Sequence, residues 1–263
     1  MRALSTLELL EAWERGLALS MLERALMLLS AWTGTSPATV ARLSIGQRDC
    51  WLLKLREAAF GSQLSSLAQC PACGEQLETT FNIADLRVGE ERLEPERASS
   101  ELAHEEMVLK EVTPPEVFSL VIEGCEVSFR LPNSLDLLAL TNCSDAQAAR
   151  RALFARFLLR AARHGEEVAV EQLSENILQA VEARVAQIDP QADVRFALNC
   201  PRCAAQWEET FDISSFFWTE ITAWATRLLG EVHTLARAYG WRERDILEMS
   251  AQRREFYLNA VAG

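Results

Sequence analysis

The sequence predicts an α+β protein, mainly α-helical, in which long amphipathic helices flank two short β-hairpins that carry paired cysteines. Three observations lead there. Apolar residues recur at helical spacing over much of the 263-residue chain. Shorter runs alternate at strand spacing around two Cys-Pro-x-Cys motifs. Those motifs sit in two fifteen-residue stretches that are near copies, "QCPACGEQLETTFNI" from 69 and "NCPRCAAQWEETFDI" from 199.

The elements follow in order. Residues 6–31 read as one helix with Leu9, Leu10, Trp13, Leu17, Met21, Leu22, Ala25, Leu28 and Leu29 on a broad apolar face, and Ser5 or Thr6 as its N-cap. A second helix fits 47–60 and closes on Gly61. "QLSSLAQ" enters the first cysteine pair, and Leu77, Thr79 and Phe81 alternate as the chain leaves it. Residues 87–106 carry seven Glu and three Arg with almost nothing apolar, the composition of a solvated connector that proteases should cut first. Strands are expected at "MVLKEV" (107–112) and "EVSFRLP" (126–132), and helices over 133–141, 145–163 and 172–188. "DVRFALN" leads into the second pair and "AQWEETFDI" out of it. Phe217, Ile221, Trp224, Leu228, Val232, Leu235 and Tyr239 then mark a long amphipathic helix over 216–239, with Gly240 placed to end it. Two short helices fit the remainder. This division gives an N-terminal helical part with the first cysteine pair (1–86), the acidic connector (87–106), an inserted α/β segment (107–190), and a C-terminal part with the second pair (191–263).

Sliding one motif over the other by 130 positions brings Cys70, Pro71 and Cys73 onto Cys200, Pro201 and Cys203. A Cys-Pro-x-Cys turn presents two thiolates on the inside of a tight loop, and a closed tetrahedral site needs four. The duplication is thereby explained: Cys70, Cys73, Cys200 and Cys203 are expected to bind one structural zinc ion as the two halves of a split zinc ribbon. The spacing departs from a compact ribbon, which puts about 15–20 residues between its pairs. A long insertion between them adds closure entropy only logarithmically. A site shared between two chains is the alternative. Thiol–disulfide catalysis would want a cysteine pair opening a helix, and neither pair does. Cys50, Cys125 and Cys143 have no partner at ligand spacing and read as small apolar residues.

Composition narrows the function. A net charge of −12 argues against a phosphate-backbone binder. No apolar run approaches the ~20 residues that span a bilayer, and the N-terminus interleaves Glu with Leu, unlike a signal peptide. The expected setting is cytoplasmic and reducing, with no membrane insertion. His104, His164 and His233 lie in no catalytic or metal motif, and neither a phosphate loop nor a nucleophile elbow is present. The chain is not expected to be an enzyme.

The last third is also informative by resemblance. The apolar helix followed by Tyr239-Gly240-Trp241, Asp245-Ile246-Leu247, Arg253-Arg254 and Tyr257-Leu258 resembles the C-terminal region of baseplate and tail-assembly proteins of contractile-tailed phages and phage-like contractile injection systems. "RLPNSLDLLAL", "DPQADVRFALNCPRC" and "LSIGQRDCWLLKLREAAFG" are similar to the version of that family carrying cysteine knuckles. The similarity covers most of the chain outside 87–106. It implies a non-enzymatic role in building a baseplate or hub, either as a transient chaperone or as a component that stays in the particle. Baseplate, hub or tail proteins would be the partners. Trp241, Ile246, Arg253, Arg254, Tyr257 and Leu258 are the expected partner-binding residues, since aromatic and Arg side chains dominate interface hot spots. A zinc-ribbon regulator binding nucleic acid is the rival reading.

Overall fold

The computed structural model describes residues 4–88, 115–141, 143 and 145–262. The connector expected over 87–106 lies outside the described residues except for Arg87 and Val88, as does the strand expected over 107–112. The described chain is mixed α/β, mainly helical, with three small antiparallel sheets.

Four helices begin the chain: α1 (Thr6–Gly16), α2 (Met21–Thr33), α3 (Pro37–Val40) and α4 (Ile45–Phe60). The single helix expected over 6–31 is in fact two. Ser20 starts α2 with a reciprocal capping box to Glu23, which satisfies backbone donors that a continuous helix would have used internally. Gly16 ends α1 where a Cβ would stand 2.2 Å from a Trp218 ring carbon, so only glycine allows that close approach. Strands β1 (Gln63–Gln69) and β2 (Gln76–Asn82) follow as a hairpin in register from Gln63↔Asn82 to Gln69↔Gln76, and α5 (Ile83–Leu86) leaves it.

A second sheet contains β3 (Phe118–Ile122), β4 (Cys125–Phe129), β5 (Leu158–Arg163) and β6 (Glu166–Glu167) in spatial order. Two helices, α6 (Ser134–Leu138) and α7 (Ala146–Phe157), connect β4 to β5. Sequence reading missed β3, although Phe118, Leu120 and Ile122 alternate with Ser119 and Val121. The Glu123-Gly124 turn joining it to β4 has positive φ at both residues, the twist a two-residue hairpin needs. The helix expected over 145–163 stops at Phe157. "LLRAAR" has no strand signal of its own; pairing with β4 decides its state, a case of tertiary contact overriding helix propensity.

Next come α8 (Glu175–Ile188), the hairpin β7 (Arg195–Asn199) and β8 (Gln206–Thr210), and α9 (Ile213–Tyr239). Short helices α10 (Glu243–Leu247) and α11 (Ala251–Ala262) finish the chain. Gly240 ends α9 in the left-handed region, as its position predicts.

Three apolar cores result. The first joins α1, α2, α4, β1, α5 and the first half of α9, through Leu52, Leu53, Leu64, Ile83, Ile213 and Phe217. The second packs the four-stranded sheet against α7 and α8. The third holds α10 and α11 against the second half of α9. Ion pairs reinforce the first and third. Arg56 grips Glu220 through Nε and Nη2 at 2.8 and 2.7 Å, and Arg254 Nε donates to Glu231 at 2.9 Å.

A buried polar junction joins the first core to the inserted sheet unit. Ser44 bridges Asn133. The Asp189 carboxylate accepts from Gly46 N at 2.9 Å, at the first turn of α4, and Arg48 donates to Ser134 and to Asp49. A Cβ at residue 46 would lie 2.0 Å from Asp189 Oδ1. Asp49 is buried, and desolvation raises its pKa to about 6 against the attraction of Arg48; Asp212 and Asp189 add repulsion. A carboxylate with a raised folded pKa contributes stability that is fully present below its unfolded pKa and lost as pH rises through about 6. Between pH 5 and 7.5 that contribution falls by about 1–1.5 kcal/mol, the remainder having been lost between the unfolded pKa and pH 5. The expected result is that wild-type protein gains melting temperature on acidification from pH 7.5 to 5 and that Asp49→Asn loses most of the gain. Equal pH slopes for the two proteins in a thermal-shift series would refute it.

Candidate metal centre

The two cysteine hairpins face one another across the end of the first core. Their inner faces meet at the base, where Phe81 and Phe196 stack with ring centroids 4.2 Å apart. At the tips, Cys70 Sγ lies 3.7 Å from Cys203 Sγ, and Cys73 Sγ lies 3.6 Å from Cys200 Sγ. All four sulfurs fall within 4.8 Å of one another. The sequence predicted that the pairs meet although 126 residues separate Cys73 from Cys200, and the structure brings them together.

The loops are built alike. Gly74 N donates to Cys70 O and Ala204 N to Cys200 O, each at 2.9 Å; Cys70 N and Cys200 N donate to Glu75 O and Ala205 O. Gly74 and Ala204 both have positive φ, 74° and 57°. At Ala204 that conformation is strained for a residue with a Cβ, yet the loop keeps it. Equivalence at an offset of 130 positions runs well beyond the fifteen-residue motif. Leu43-Ser44 and Leu173-Ser174 precede α4 and α8, and both serines accept the N3 backbone N–H as N-caps. Helices α4 and α8 start 130 positions apart, and so do α5 and α9. Each half is thus a capped helix, a knuckle hairpin and a second helix opened by Asn82 or Asp212.

Burial opposes ionisation of Cys200, but the backbone N–H groups of Cys203 and Arg202, with neighbouring thiols, bring its pKa down to about 7. The backbone N–H of Glu75 favours the Cys73 thiolate, yet burial and the three nearby sulfurs push it up to about 12. Cys203 is also raised: the backbone bond from Ala205 and the contact with Cys73 favour the thiolate, but burial and the Cys200 and Cys70 sulfurs outweigh them. Four thiolates this close repel, so the full set ionises together only around a cation. The fit to a soft metal is good. Tetrahedral sulfur ligands at ~2.3 Å from zinc stand about 3.8 Å apart, close to the two cross-hairpin separations. The four cysteines could therefore hold one metal ion.

The six residues expected to bind a partner are split by the structure. Ile246 has no exposed surface and Arg254 only 5%. Arg254 donates to Glu231 and to Met249 O, fastening α11 to α9, so both residues serve the fold; a partner could not reach them. Trp241, Tyr257 and Leu258 are half-buried and Arg253 is exposed. Trp241 stacks on Tyr239 at 4.5 Å and meets Tyr257 edge-on at 4.8 Å. Phe256, on the same C-terminal segment, is 68% exposed beside Tyr257.

Elsewhere, an apolar cavity of about 330 Å³ lies between α7 and α8, with Arg150 and Glu182 at its wall already paired to each other. No helix among the described residues is long and apolar enough to cross a membrane.

The described residues thus place four thiols together between two hairpins, with an aromatic patch on Tyr239, Trp241 and Tyr257 at the far end of α9. The chain belongs to the family of the T4 bacteriophage base plate protein, whose sequence profile matches residues 20–218. The match takes in both cysteine pairs and the inserted sheet unit and ends at Trp218, before the aromatic patch. Among curated proteins and solved structures, nothing matches the chain. Membership points to a structural protein of a phage base plate.

Proposed function

We propose that this chain is a non-enzymatic component or assembly factor of the baseplate or hub of a phage-tail-like contractile injection machine. It works by protein–protein contact, and one zinc ion on Cys70, Cys73, Cys200 and Cys203 holds its two halves together as a split zinc ribbon. The family match over residues 20–218 carries the baseplate reading, and the four converging sulfurs support the metal. Zinc suits the donor set, because four soft thiolates in a tetrahedron are its structural coordination. The residues would supply binding and orientation only; all four coordination positions would be filled by protein, leaving none for chemistry. The division of the chain at 87–106 and 190 is part of the same proposal.

The partner surface is assigned to Tyr239, Trp241, Arg253, Phe256, Tyr257 and Leu258. These side chains combine exposed aromatic area with a cation close to a ring, Arg253 lying 6.0 Å from the Tyr257 centroid. Aromatic and Arg side chains of this kind anchor interfaces. Phe256→Ala combined with Arg253→Glu is expected to leave thermal stability and zinc content within error of wild type. It should abolish co-purification with baseplate components in cells assembling particles. Normal particle assembly by this double variant would end the assignment. Arg254 is unsuitable for such a test, because its loss would unfasten α11. Mass spectrometry of purified particles separates a resident component from a chaperone that departs.

A further inference from the structure

The cluster also has an oxidation chemistry that its geometry specifies. We infer that the four cysteines form a peroxide-responsive site whose disulfides run between the two hairpins, Cys70 to Cys203 and Cys73 to Cys200, rather than within each Cys-Pro-x-Cys motif. The sulfurs of those cross pairs stand 3.7 and 3.6 Å apart. Each cross pair unites one accessible and one buried thiol: Cys203 is exposed and Cys73 half-buried, whereas Cys70 and Cys200 are both 1% exposed. That asymmetry divides the labour. The accessible sulfur meets the oxidant, and the buried one, already beside it, resolves the intermediate.

The step balances. Cys203, once its proton is lost to solvent or displaced when the sulfur binds a metal, attacks one oxygen of a peroxide as the thiolate; the O–O bond breaks, leaving a sulfenic acid and releasing water or an alcohol after protonation. The Cys70 sulfur then attacks the sulfenic sulfur, the S–O bond breaks, and a second water leaves as the disulfide forms. Each disulfide uses one peroxide as two-electron acceptor, and Cys73 with Cys200 repeats the sequence. If the site holds zinc, two peroxides and four protons convert the zinc tetrathiolate into two disulfides, four waters and a free zinc ion. The cross-links then take over the ion's place between hairpins that are 126 residues apart. A chain oxidised this way keeps its halves joined after the metal has gone.

The connectivity does not depend on the metal, so the test has two arms. Full-length protein, once as purified with zinc and once after chelation, is treated with hydrogen peroxide, alkylated and digested without reduction. Disulfide-linked peptides joining 70 to 203 and 73 to 200 are expected in both arms. In the zinc arm, a metallochromic dye should record one zinc released per chain, and if no zinc is present the metal reading fails while the connectivity still stands on the chelated arm. Oxidised metal-free protein should melt higher than reduced metal-free protein. The variant Cys70→Ser with Cys203→Ser keeps one cross pair and should still link 73 to 200. Peptides linked 70 to 73 and 200 to 203 in wild type, or sulfinic acids without disulfides, would overturn the inference.

Discussion

Replacing Cys200 with serine, or removing metal with a chelator, is expected to lower the melting temperature by about 8–16 °C. An ion present at a thousand times its dissociation constant stabilises the folded chain by about 4 kcal/mol. Each kcal/mol moves the midpoint by about 2–4 °C in chains of about this size. Cys200 is the informative position because it is buried and its sulfur receives two backbone N–H groups. Serine there removes a ligand and leaves those donors facing a weaker acceptor. The two treatments should not add, since both abolish the same ion. Scanning calorimetry with metal analysis checks both statements. A chain that contains no zinc, and whose midpoint ignores the chelator, rules out a structural metal.

Asp136→Ala is expected to destabilise the fold by about 3–5 kcal/mol, the usual result of stripping one partner from a buried ion pair. The Asp136 side chain is 1% exposed. It takes two bonds from Arg130, at 2.6 and 2.7 Å, a third from Arg156, and a fourth from Asn133 N. Burial alone would push its pKa up; the Arg130 bonds, the Asn133 N–H and the charges of Arg130 and Arg156 outweigh burial and hold it below the ordinary carboxylate value. Its contribution is therefore present above the unfolded pKa and lost as pH falls through the lower folded one. The deficit of Asp136→Ala should be full at pH 5 and shrink only in strong acid. The double variant Arg130→Met with Asp136→Leu should recover much of the loss, because no buried charge is then left alone. Denaturant titration at the two pH values measures each quantity, and a double variant worse than Asp136→Ala would contradict the account.

These two sites differ in how visible they were beforehand. The cysteine cluster could be read directly, because metal ligation fixes both residue type and local spacing, and the near-copy at 130 positions doubles the signal. The long stripe from Phe217 to Tyr239 was equally plain, for burial along one helical face writes itself into the order of residues. Asp136 gave no cue. Its role depends on Arg130 six residues away and Arg156 twenty residues away, and sequence distance does not encode their meeting. The same holds for "LLRAAR", which becomes β5 only because β4 supplies hydrogen-bond partners. Ile246 and Arg254 show the converse. Their residue types suit an interface, but the choice between inner and outer contact is made by how α10 and α11 fold back on α9. The Ser44 and Ser174 caps were legible but unread; the offset that aligned the cysteines aligns them too.

The distance along the chain between the two hairpins also has a consequence during synthesis. A ribosome adds about 5–20 residues per second, so the second hairpin leaves the exit tunnel some 6–26 s after the first. Throughout that interval the nascent chain presents Cys70 and Cys73 as a two-thiol half-site beside an unfinished first core, which still lacks Ile213 and Phe217 from α9. Closure of the cluster and completion of that core are thus late and nearly simultaneous events, both triggered by the emergence of the last quarter of the polypeptide. A messenger truncated before residue 200 would release a chain with half a metal site and an open core, a natural substrate for quality-control proteases.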